Sequence, residues 1–229
     1  TSKVVNMSHI FDGCSNLENV DLSNFNTSNV INMEGVFRND TNLKEIKLGD
    51  NFKTNKVTTM LAMFASCSSL KRVDLSNFDT SNVTTMQSMF YKCENLELLD
   101  LSSFKTNKVT NMYCMFAYCT SLKTINLTSF DTSKVTTMQS MFLLCKSIEM
   151  LDLSTFTTDS ATNIMYMFDT CSSLKSLDIR NASFSSVSKN TSAFNVVNSN
   201  VVVYVKNDTE KEFIINTIKN IISDNVIAG

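Results

Sequence analysis

Cysteines are the residues of this chain that first invite a chemical interpretation. Six of the seven share one spacing, three residues after a recurring phenylalanine: Cys14, Cys67, Cys93, Cys119, Cys145 and Cys171. A zinc site usually draws on cysteine pairs two to four residues apart. Only Cys114 and Cys119 come near that spacing, and the single histidine, His9, is remote in sequence. The pattern therefore gives little support to a metal site.

The same cysteines could form disulfides or remain free. Repeats that stack as strands would bring neighbouring cysteine Cα atoms to ~5 Å, which is within disulfide range. Free cysteine, however, is among the most buried residue types in proteins. We expect buried free thiols along this column, in which Asp40 replaces cysteine once. Cys114 lies off the column, and we expect it to be the most exposed thiol.

Aspartates form a second recurring group, at an outward position between two apolar residues. They are Asp21, Asp74, Asp100, Asp152 and Asp178, with Lys47 and Asn126 as exceptions. One interpretation is an acidic stripe for a basic partner or Ca²⁺, although calcium needs six to eight oxygen ligands. The other is that each carboxylate accepts hydrogen bonds from neighbouring serines or backbone groups, which offsets the repulsion between like charges on adjacent strands. We favour the second.

A repeat of 26 residues positions all of these groups. Its marker is a phenylalanine at intervals of 26 residues, with one interval of 27 caused by an extra residue between Leu48 and Phe52. The marker residues are Phe11, Phe37, Phe64, Phe90, Phe116, Phe142, Phe168 and Phe194. Each coil also carries the pattern L-x-x-L-x-L, whose last three residues alternate with the period of a strand.

The period changes after each strand. In "VTTMQSMF" the apolar residues lie at i, i+3, i+6 and i+7, which indicates a short helix or 3₁₀ turn. The chain therefore predicts an α/β solenoid of the leucine-rich-repeat type. We expect a right-handed coil with a parallel strand ladder on its concave face and short helices or 3₁₀ turns on the other side. Stacking of coils, rather than any single coil, builds the core.

Two further columns follow each strand in the predicted turn. Lysine and aspartate alternate at residues 53, 79, 105 and 131, and we expect these charges to fix register and solubility rather than to bind a ligand. The next residue is a threonine in six coils: Thr27, Thr54, Thr80, Thr106, Thr132 and Thr158. A stacked ladder of hydroxyls that satisfies backbone groups of the turn explains this column.

The array and its end define two regions. Residues 1–205 form about eight coils, the first of them incomplete, and residues 206–229 form a C-terminal cap. The segment "VVVYV" is the predicted last strand. Thr209 followed by Glu212 fits a capping box, so we predict an amphipathic helix over 209–222 that covers the end of the core. Because the first coil begins in mid-repeat, we expect this chain to be the C-terminal part of a longer protein.

The cassettes "MFASCSSLKRVDLSNFDTSNVTTM" (63–86) and "MFAYCTSLKTINLTSFDTSKVTTM" (115–138) resemble the repeat of BspA-type leucine-rich-repeat surface proteins of bacteria. The resemblance extends over about residues 4–205. It implies an extracellular or cell-surface protein used in adhesion or host contact, and it implies no catalytic residues and no cofactor.

The strand position two residues before the aspartate column varies from coil to coil. A position that varies while its neighbours repeat is where a solenoid can encode a binding preference, although unconstrained surface drift explains it equally well. The expected binding residues on the concave face are Glu45, Lys47, Arg72, Asp74, Leu98, Asp100, Thr124, Met150, Asp152 and Asp178. Leu98 and Met150 are apolar and expected to be exposed, which can mark a contact patch.

Composition narrows the function classes. The net charge of −2, from 20 basic and 22 acidic residues, gives no electrostatic case for nucleic acid or an anionic membrane surface. No nucleophile–base pair or phosphate-binding loop is visible, so an enzyme is not expected. We expect a module that binds a protein ligand, for example an extracellular-matrix or host surface protein. The alternative is a structural spacer with no ligand of its own.

Overall fold

The computed structural model describes residues 1–195 and 197–229, and it is a solenoid of about eight coils with parallel strands. Seven short strands precede the cap: β1 Asn19–Leu22, β2 Glu45–Leu48, β3 Leu98–Asp100, β4 Thr124–Asn126, β5 Met150–Asp152, β6 Ser176–Asp178 and β7 Val202–Val205. Helix α1 (Asp208–Thr217), a 3₁₀ turn (Ser223–Asn225) and strand β8 (Val226–Ala228) complete the chain.

The strand register confirms the predicted columns. Leu99 lies beside Ile125, and Leu151 lies beside Leu177, so each residue pairs with its equivalent in the next coil. Inward residues of every coil contribute to one continuous hydrophobic core. Because a coil has no second layer of its own, this burial comes almost entirely from its two neighbours.

Two stacks of phenylalanine rings run along the core. The marker phenylalanines are stacked from Phe11 to Phe194, with ring centroids of neighbours 5.1–5.8 Å apart. The second stack, from Phe52 to Phe156, has wider spacings of 6.0–6.4 Å. Both stacks hold neighbouring coils in the same register, because a ring can meet its equivalent only when the columns are aligned.

The ladder on the strand side is interrupted. Strand β1 pairs with β2, β3 pairs with β4, and β5 to β8 form one four-stranded sheet. The equivalent segment of the third coil, residues 72–75, is not a strand. The strand side therefore consists of three short sheets separated at the third coil and between β4 and β5.

The unbroken ladder lies on the opposite side of the coil. Single parallel bridges link equivalent residues of eight consecutive coils: Asn6, Asn32, Thr59, Thr85, Asn111, Thr137, Asn163 and Lys189. After each bridge the structure has successive turns, so the predicted short helices or 3₁₀ turns are wrong.

The hydrogen bonds explain why no helix forms there. The Phe64 amide donates to the Met89 carbonyl of the next coil at 2.9 Å, whereas the following amide, Ala65, donates to Ala62 of its own coil at 3.1 Å. Ala62 (φ 52°) and Ser66 (φ 63°) adopt the left-handed conformation, which a regular helix excludes. Equivalent pairs four residues apart recur in the other coils. Turns with this geometry bury the same apolar positions as a helix would.

The cap differs from the predicted helix at both ends. Asn207, not Thr209, is the N-cap residue, and its side chain accepts a hydrogen bond from the Glu210 amide. The helix ends at Thr217 rather than at residue 222. The chain then returns as β8, which pairs with β7 and satisfies backbone groups that a longer helix would have left open.

The helix nevertheless covers the last coil as predicted. Ile214 and Ile218 are buried, and the Phe213 ring stacks on Phe184 with a centroid distance of 4.4 Å. Glu210 is also buried, and its carboxylate accepts a hydrogen bond from the Phe184 amide at 3.2 Å. The helix is thus fixed to the array by apolar contacts and one charged hydrogen bond.

Candidate functional site on the strand face

All ten predicted binding residues lie on one surface, which we call the strand face. It consists of the outward side chains of β1 to β6 and of residues 72–75 in the third coil. Leu98 and Met150 are exposed to 54% and 74%, as expected from the sequence. The remaining predicted residues are exposed or half-buried. Arg72 and Asp74 are the two that do not belong to a strand.

The aspartates of this face are held by the turn that follows each strand. The Asp74 carboxylate accepts a hydrogen bond from the Ser76 amide at 3.0 Å, and Asp100 accepts one from Ser102 at the same distance. These backbone hydrogen bonds lower the pKa of both carboxyl groups. The same contact recurs at Asp21, Asp152 and Asp178. These are the hydrogen bonds that our favoured interpretation of the column requires.

Ion pairs cross the strand face only at certain coil boundaries within the described residues. The four pairs that join equivalent or neighbouring positions are Glu18–Lys44 at 2.9 Å, Asp21–Lys47 at 2.9 Å, Glu97–Lys123 at 3.3 Å and Glu149–Lys175 at 2.7 Å. Each spans a boundary where strands also pair. Exposed pairs of this kind contribute ~0–1 kcal/mol each to stability. They therefore indicate that the two coils lie close together but add little to the stability of the fold.

Two grooves on the strand face include the places where strands do not pair. The larger, of about 730 Å³, lies over the first to fourth coils, and its walls include Glu45, Ile46, Arg72, Val73 and Leu98. The second, of about 480 Å³, lies between β4 and β5, and its walls include Thr124 and Met150. Both volumes are within the range of ligand sites in proteins, ~300–1,000 Å³.

The turns behind the strands carry the predicted threonine ladder. All six threonines are buried, and each hydroxyl donates to a backbone carbonyl of the next coil. In the neighbouring charged column, Lys105 lies 3.9 Å from Asp79, a weak contact between exposed groups. These turns therefore stabilise the stack and offer few groups to a ligand.

All cysteines of the column are free thiols, and all of them except Cys14 lie inside the core. The Cys67 Sγ donates to the Phe37 carbonyl at 3.0 Å, and the later column members repeat this contact. Burial raises the pKa of these thiols, to about 12 at Cys171, which makes them poor nucleophiles. Cys14 at the first coil is exposed.

Cys114 is buried, contrary to the prediction. Its exposed fraction is 6%, because residue 114 adopts a left-handed turn conformation and packs beside the next coil, where its amide donates to Gln139. Burial raises the pKa of this thiol as well. The off-column position in the sequence did not reveal this inward placement.

Asp40 is a buried acid whose raised pKa was not predicted from the sequence. It occupies the cysteine column, its exposed fraction is 0%, and its Oδ1 accepts a hydrogen bond from the Cys14 amide at 2.8 Å. Its Oδ2 has no partner among the described residues. Burial raises the pKa of this carboxyl from 3.8 to about 6. The signal in the sequence was a single acid in an otherwise apolar column.

Groups suited to catalysis or metal binding are not assembled in residues 1–195 and 197–229. No set of three histidine, cysteine, aspartate or glutamate side chains could hold a metal ion there. The His9 Nδ1 lies 3.0 Å from the Asp12 carboxylate, and its Nε2 lies 3.6 Å from Glu34. Within the same ranges no helix is long and apolar enough to cross a membrane.

Comparison with known proteins identifies a family. Three overlapping segments, residues 1–96, 42–126 and 93–203, match the family described as "Mycoplasma protein of unknown function, DUF285". A solved leucine-rich repeat protein from Bacteroides ovatus is 17% identical, with a TM-score of 0.37, and the match covers 89% of this chain and 67% of that one. A score this low carries no argument about the present fold. No curated protein matches the chain.

Proposed function

The chain belongs to the DUF285 family, and from that premise we propose that it is a non-enzymatic protein-binding module of a cell surface or of the extracellular space. The observation that carries the proposal is the composition of the strand face. Leu98 projects from β3 and Met150 from β5, two coils further on, and each residue is more than half exposed. Charged groups of both signs surround them in the same register.

Such a surface suits a protein partner better than a small molecule or a polyanion. Exposed apolar side chains rimmed by polar ones are typical of protein contact sites. The mixed charges argue against a polyanion, which requires a continuous basic patch. Equivalent positions in successive coils provide an extended surface with a different side chain in each coil.

The proposed location rests on the resemblance of the repeat to BspA-type surface proteins. The resemblance rests on cassettes such as residues 63–86 and 115–138. It supports a role in adhesion to a host or to another cell. The ligand chemistry expected from that role is an extracellular-matrix or host surface protein.

A binding assay tests the proposal. The chain is titrated onto immobilised fibronectin, laminin and collagen, and then onto intact host cells. The double variant L98S/M150S should weaken binding by roughly tenfold or more, since each apolar side chain that becomes buried on binding contributes ~1–2 kcal/mol. The matched control is I31S, which removes another exposed apolar side chain outside the strand face. Equal binding by L98S/M150S and the native chain, with intact circular dichroism, would exclude this surface as the contact site.

A spacer is the second candidate function, and the continuous bridge ladder favours it. Eight consecutive coils are linked from Asn6 to Lys189 by parallel bridges, an arrangement that resists bending and stretching. A pure spacer binds none of the tested proteins. Saturable binding by this chain alone would therefore rule the spacer out.

A further inference from the structure

A group of cations lies on the strand face where the second and third coils meet. In the charged column that precedes the strands, the other lysines pair with a glutamate of the adjacent coil: Glu18–Lys44, Glu97–Lys123 and Glu149–Lys175. Lys71 belongs to the same column, but it forms no ion pair among the described residues, because its neighbours Lys44 and Glu97 are already paired with other coils. Lys44 and Lys71 therefore lie side by side, an arrangement that like charges disfavour.

Arg72 adds a second cation without an acidic partner. It is exposed and follows Lys71 in the sequence, and within the described chain it forms no ion pair. Both residues border a shallow groove of about 390 Å³, separate from the two grooves described above. The residues that form its walls are Lys44, Ser69, Lys71, Arg72 and Asn95. Three of these described wall residues are cationic and none is acidic, so the groove favours an anionic group.

Ser69 and Asn95 contribute neutral hydrogen-bond donors to the same groove. Neither side chain forms a hydrogen bond with another described residue. The equivalent asparagine of the second coil, Asn42, is used within the fold instead, since its Nδ2 donates to the Ser15 carbonyl at 2.8 Å. The Ser69 hydroxyl and the Asn95 amide are thus available to a ligand.

The backbone beneath these side chains is closed on both sides. The Ser69 amide donates to the Thr41 carbonyl of the second coil at 3.2 Å, and the Glu97 amide of the fourth coil donates to the Lys71 carbonyl at 3.1 Å. The marker phenylalanines remain stacked through these coils, with ring centroids 5.4–5.5 Å apart. A ligand therefore contacts side chains on a continuous surface and does not insert between coils.

The surroundings favour one acidic group over a polyanion. Glu45 and Asp74 lie in the walls of the adjoining larger groove, so a sulfated polysaccharide, which needs a continuous basic track, would meet carboxylates there. Leu98 lies in the same groove and occupies the same column as Arg72, one coil further on; it is 54% exposed. A protein surface with one acidic side chain beside an apolar one matches this combination.

We propose that Lys71 and Arg72, with the Ser69 hydroxyl and the Asn95 amide, bind a carboxylate of the partner protein. An apolar side chain next to that carboxylate contacts Leu98. A guanidinium donates two parallel hydrogen bonds to a carboxylate, and the lysine ammonium adds a second positive charge. The inference rests on the proposed protein-binding function and assigns the chemistry of the partner at one part of the strand face.

Selection from a displayed library of linear peptides tests this chemistry, with the variant K71E/R72E used to remove peptides that bind elsewhere. Both side chains are exposed, so the variant should keep the native circular dichroism and urea midpoint. Peptides specific for the native chain should share an aspartate or glutamate beside an apolar residue. They should bind K71E/R72E at least roughly tenfold more weakly, a loss typical of a charged contact. The matched control K53E/K56E makes the same change of charge at two exposed lysines of a turn behind the strands, and it should bind like the native chain.

A charge swap separates direct contact from an effect of net charge. A selected peptide whose acidic residue is replaced by lysine should lose affinity for the native chain and regain it on K71E/R72E. Three results overturn the inference: no peptide specific for the native chain, an equal loss on K53E/K56E, or no recovery in the swap. Heparin binding that depends on Lys71 and Arg72, in the absence of such peptides, overturns it as well and assigns the cations to a polysaccharide. Matrix proteins whose binding is weakened by L98S/M150S but not by K71E/R72E would contradict this inference and still support the proposed function.

Discussion

The Thr80 hydroxyl makes two hydrogen bonds to one residue of the next coil, Lys105. Its Oγ1 donates to the Lys105 carbonyl at 3.0 Å and accepts from the Lys105 amide at 2.8 Å. This hydroxyl therefore satisfies both the amide and the carbonyl of Lys105, two groups that a neighbouring strand would otherwise satisfy. Because the same arrangement recurs at Thr54, Thr106 and Thr132, one side chain substitutes for a stretch of backbone ladder in each coil.

Replacing Thr80 by valine should destabilise the fold. T80V keeps the shape of the side chain but leaves the Lys105 amide and carbonyl without their partner, which should cost roughly 1–3 kcal/mol. T80S retains the hydroxyl and should cost less. The measurement is the free energy of unfolding in urea.

Thr84 provides the control for that substitution. It is exposed, and its hydroxyl donates to the Thr58 carbonyl at 3.2 Å, an oxygen that the Thr84 amide already contacts at 2.9 Å. T84V should therefore change stability by less than about 0.5 kcal/mol. Equal losses for T80V and T84V would contradict the role of the buried ladder.

Asp40 should make the stability of the chain depend on pH. Its pKa is raised in the folded state, to about 6 from 3.8. Stability is therefore greatest below pH ~4 with respect to this group and falls as pH rises through about 6, by at most about 3 kcal/mol. D40C restores the column residue and D40N removes the charge, and both should be more stable than the native chain at pH 7.5.

Unfolding in urea at several pH values measures this effect. The matched control is D74N, because Asp74 is exposed and its pKa is lowered rather than raised. Its contribution is already present above pH ~4 and should not vary between pH 5 and 8. Two results would argue against a buried ionised carboxylate at residue 40. One is a native chain whose stability does not change between pH 4 and 7, and the other is equal stability of D40C and the native chain at pH 7.5.

Thiol reactivity should separate Cys14 from the other cysteines. Cys14 is exposed, and the other six are buried in the native chain. An aromatic disulfide reagent should titrate one thiol quickly in buffer and all seven after unfolding in guanidinium, because the reaction needs an accessible thiolate. C14S should remove the fast reaction. Fast labelling of C14S would show that the column opens in the folded state.

The N-cap of α1 can be tested by two alanine substitutions. N207A removes the side chain that accepts from the Glu210 amide at 3.1 Å, and it should cost ~1 kcal/mol of stability. T209A lies inside the helix and should have almost no effect. A larger loss of stability for T209A than for N207A would instead support the capping box predicted from the sequence, with Thr209 as the N-cap.

Stacking makes the core of this protein predictable from the sequence. In a solenoid, equivalent positions of successive repeats are neighbours, so a column such as Phe37, Phe64 and Phe90 is at once a pattern and a list of contacts. The threonine ladder and the exposure of Leu98 and Met150 followed from the same argument. The prediction of a covering helix at the C-terminus also held, though not its bounds.

The conformation of the turns was not predictable in this way. Apolar residues at Met60, Met63, Phe64 and Cys67 have a spacing that a helix and a run of turns share. The choice depends on where the backbone amides find acceptors, and in the structure alternate amides find them in the next coil. The C-terminal cap depends on available hydrogen-bond partners in the same way. Helix α1 ends at Thr217, and β8 then forms because the edge of β7 offers backbone groups with which it can pair.

The sequence by itself determined the repeat, its register and the residues that face the core, because these depend on side-chain pattern alone. Only the tertiary structure decided where the strand pairing between neighbouring coils is interrupted. The extra residue near Gly49 was visible, but its effect depends on how closely Ser23 of the adjacent coil approaches. The absence of strand pairing at residues 72–75 is a property of the contact between coils and not of any one coil.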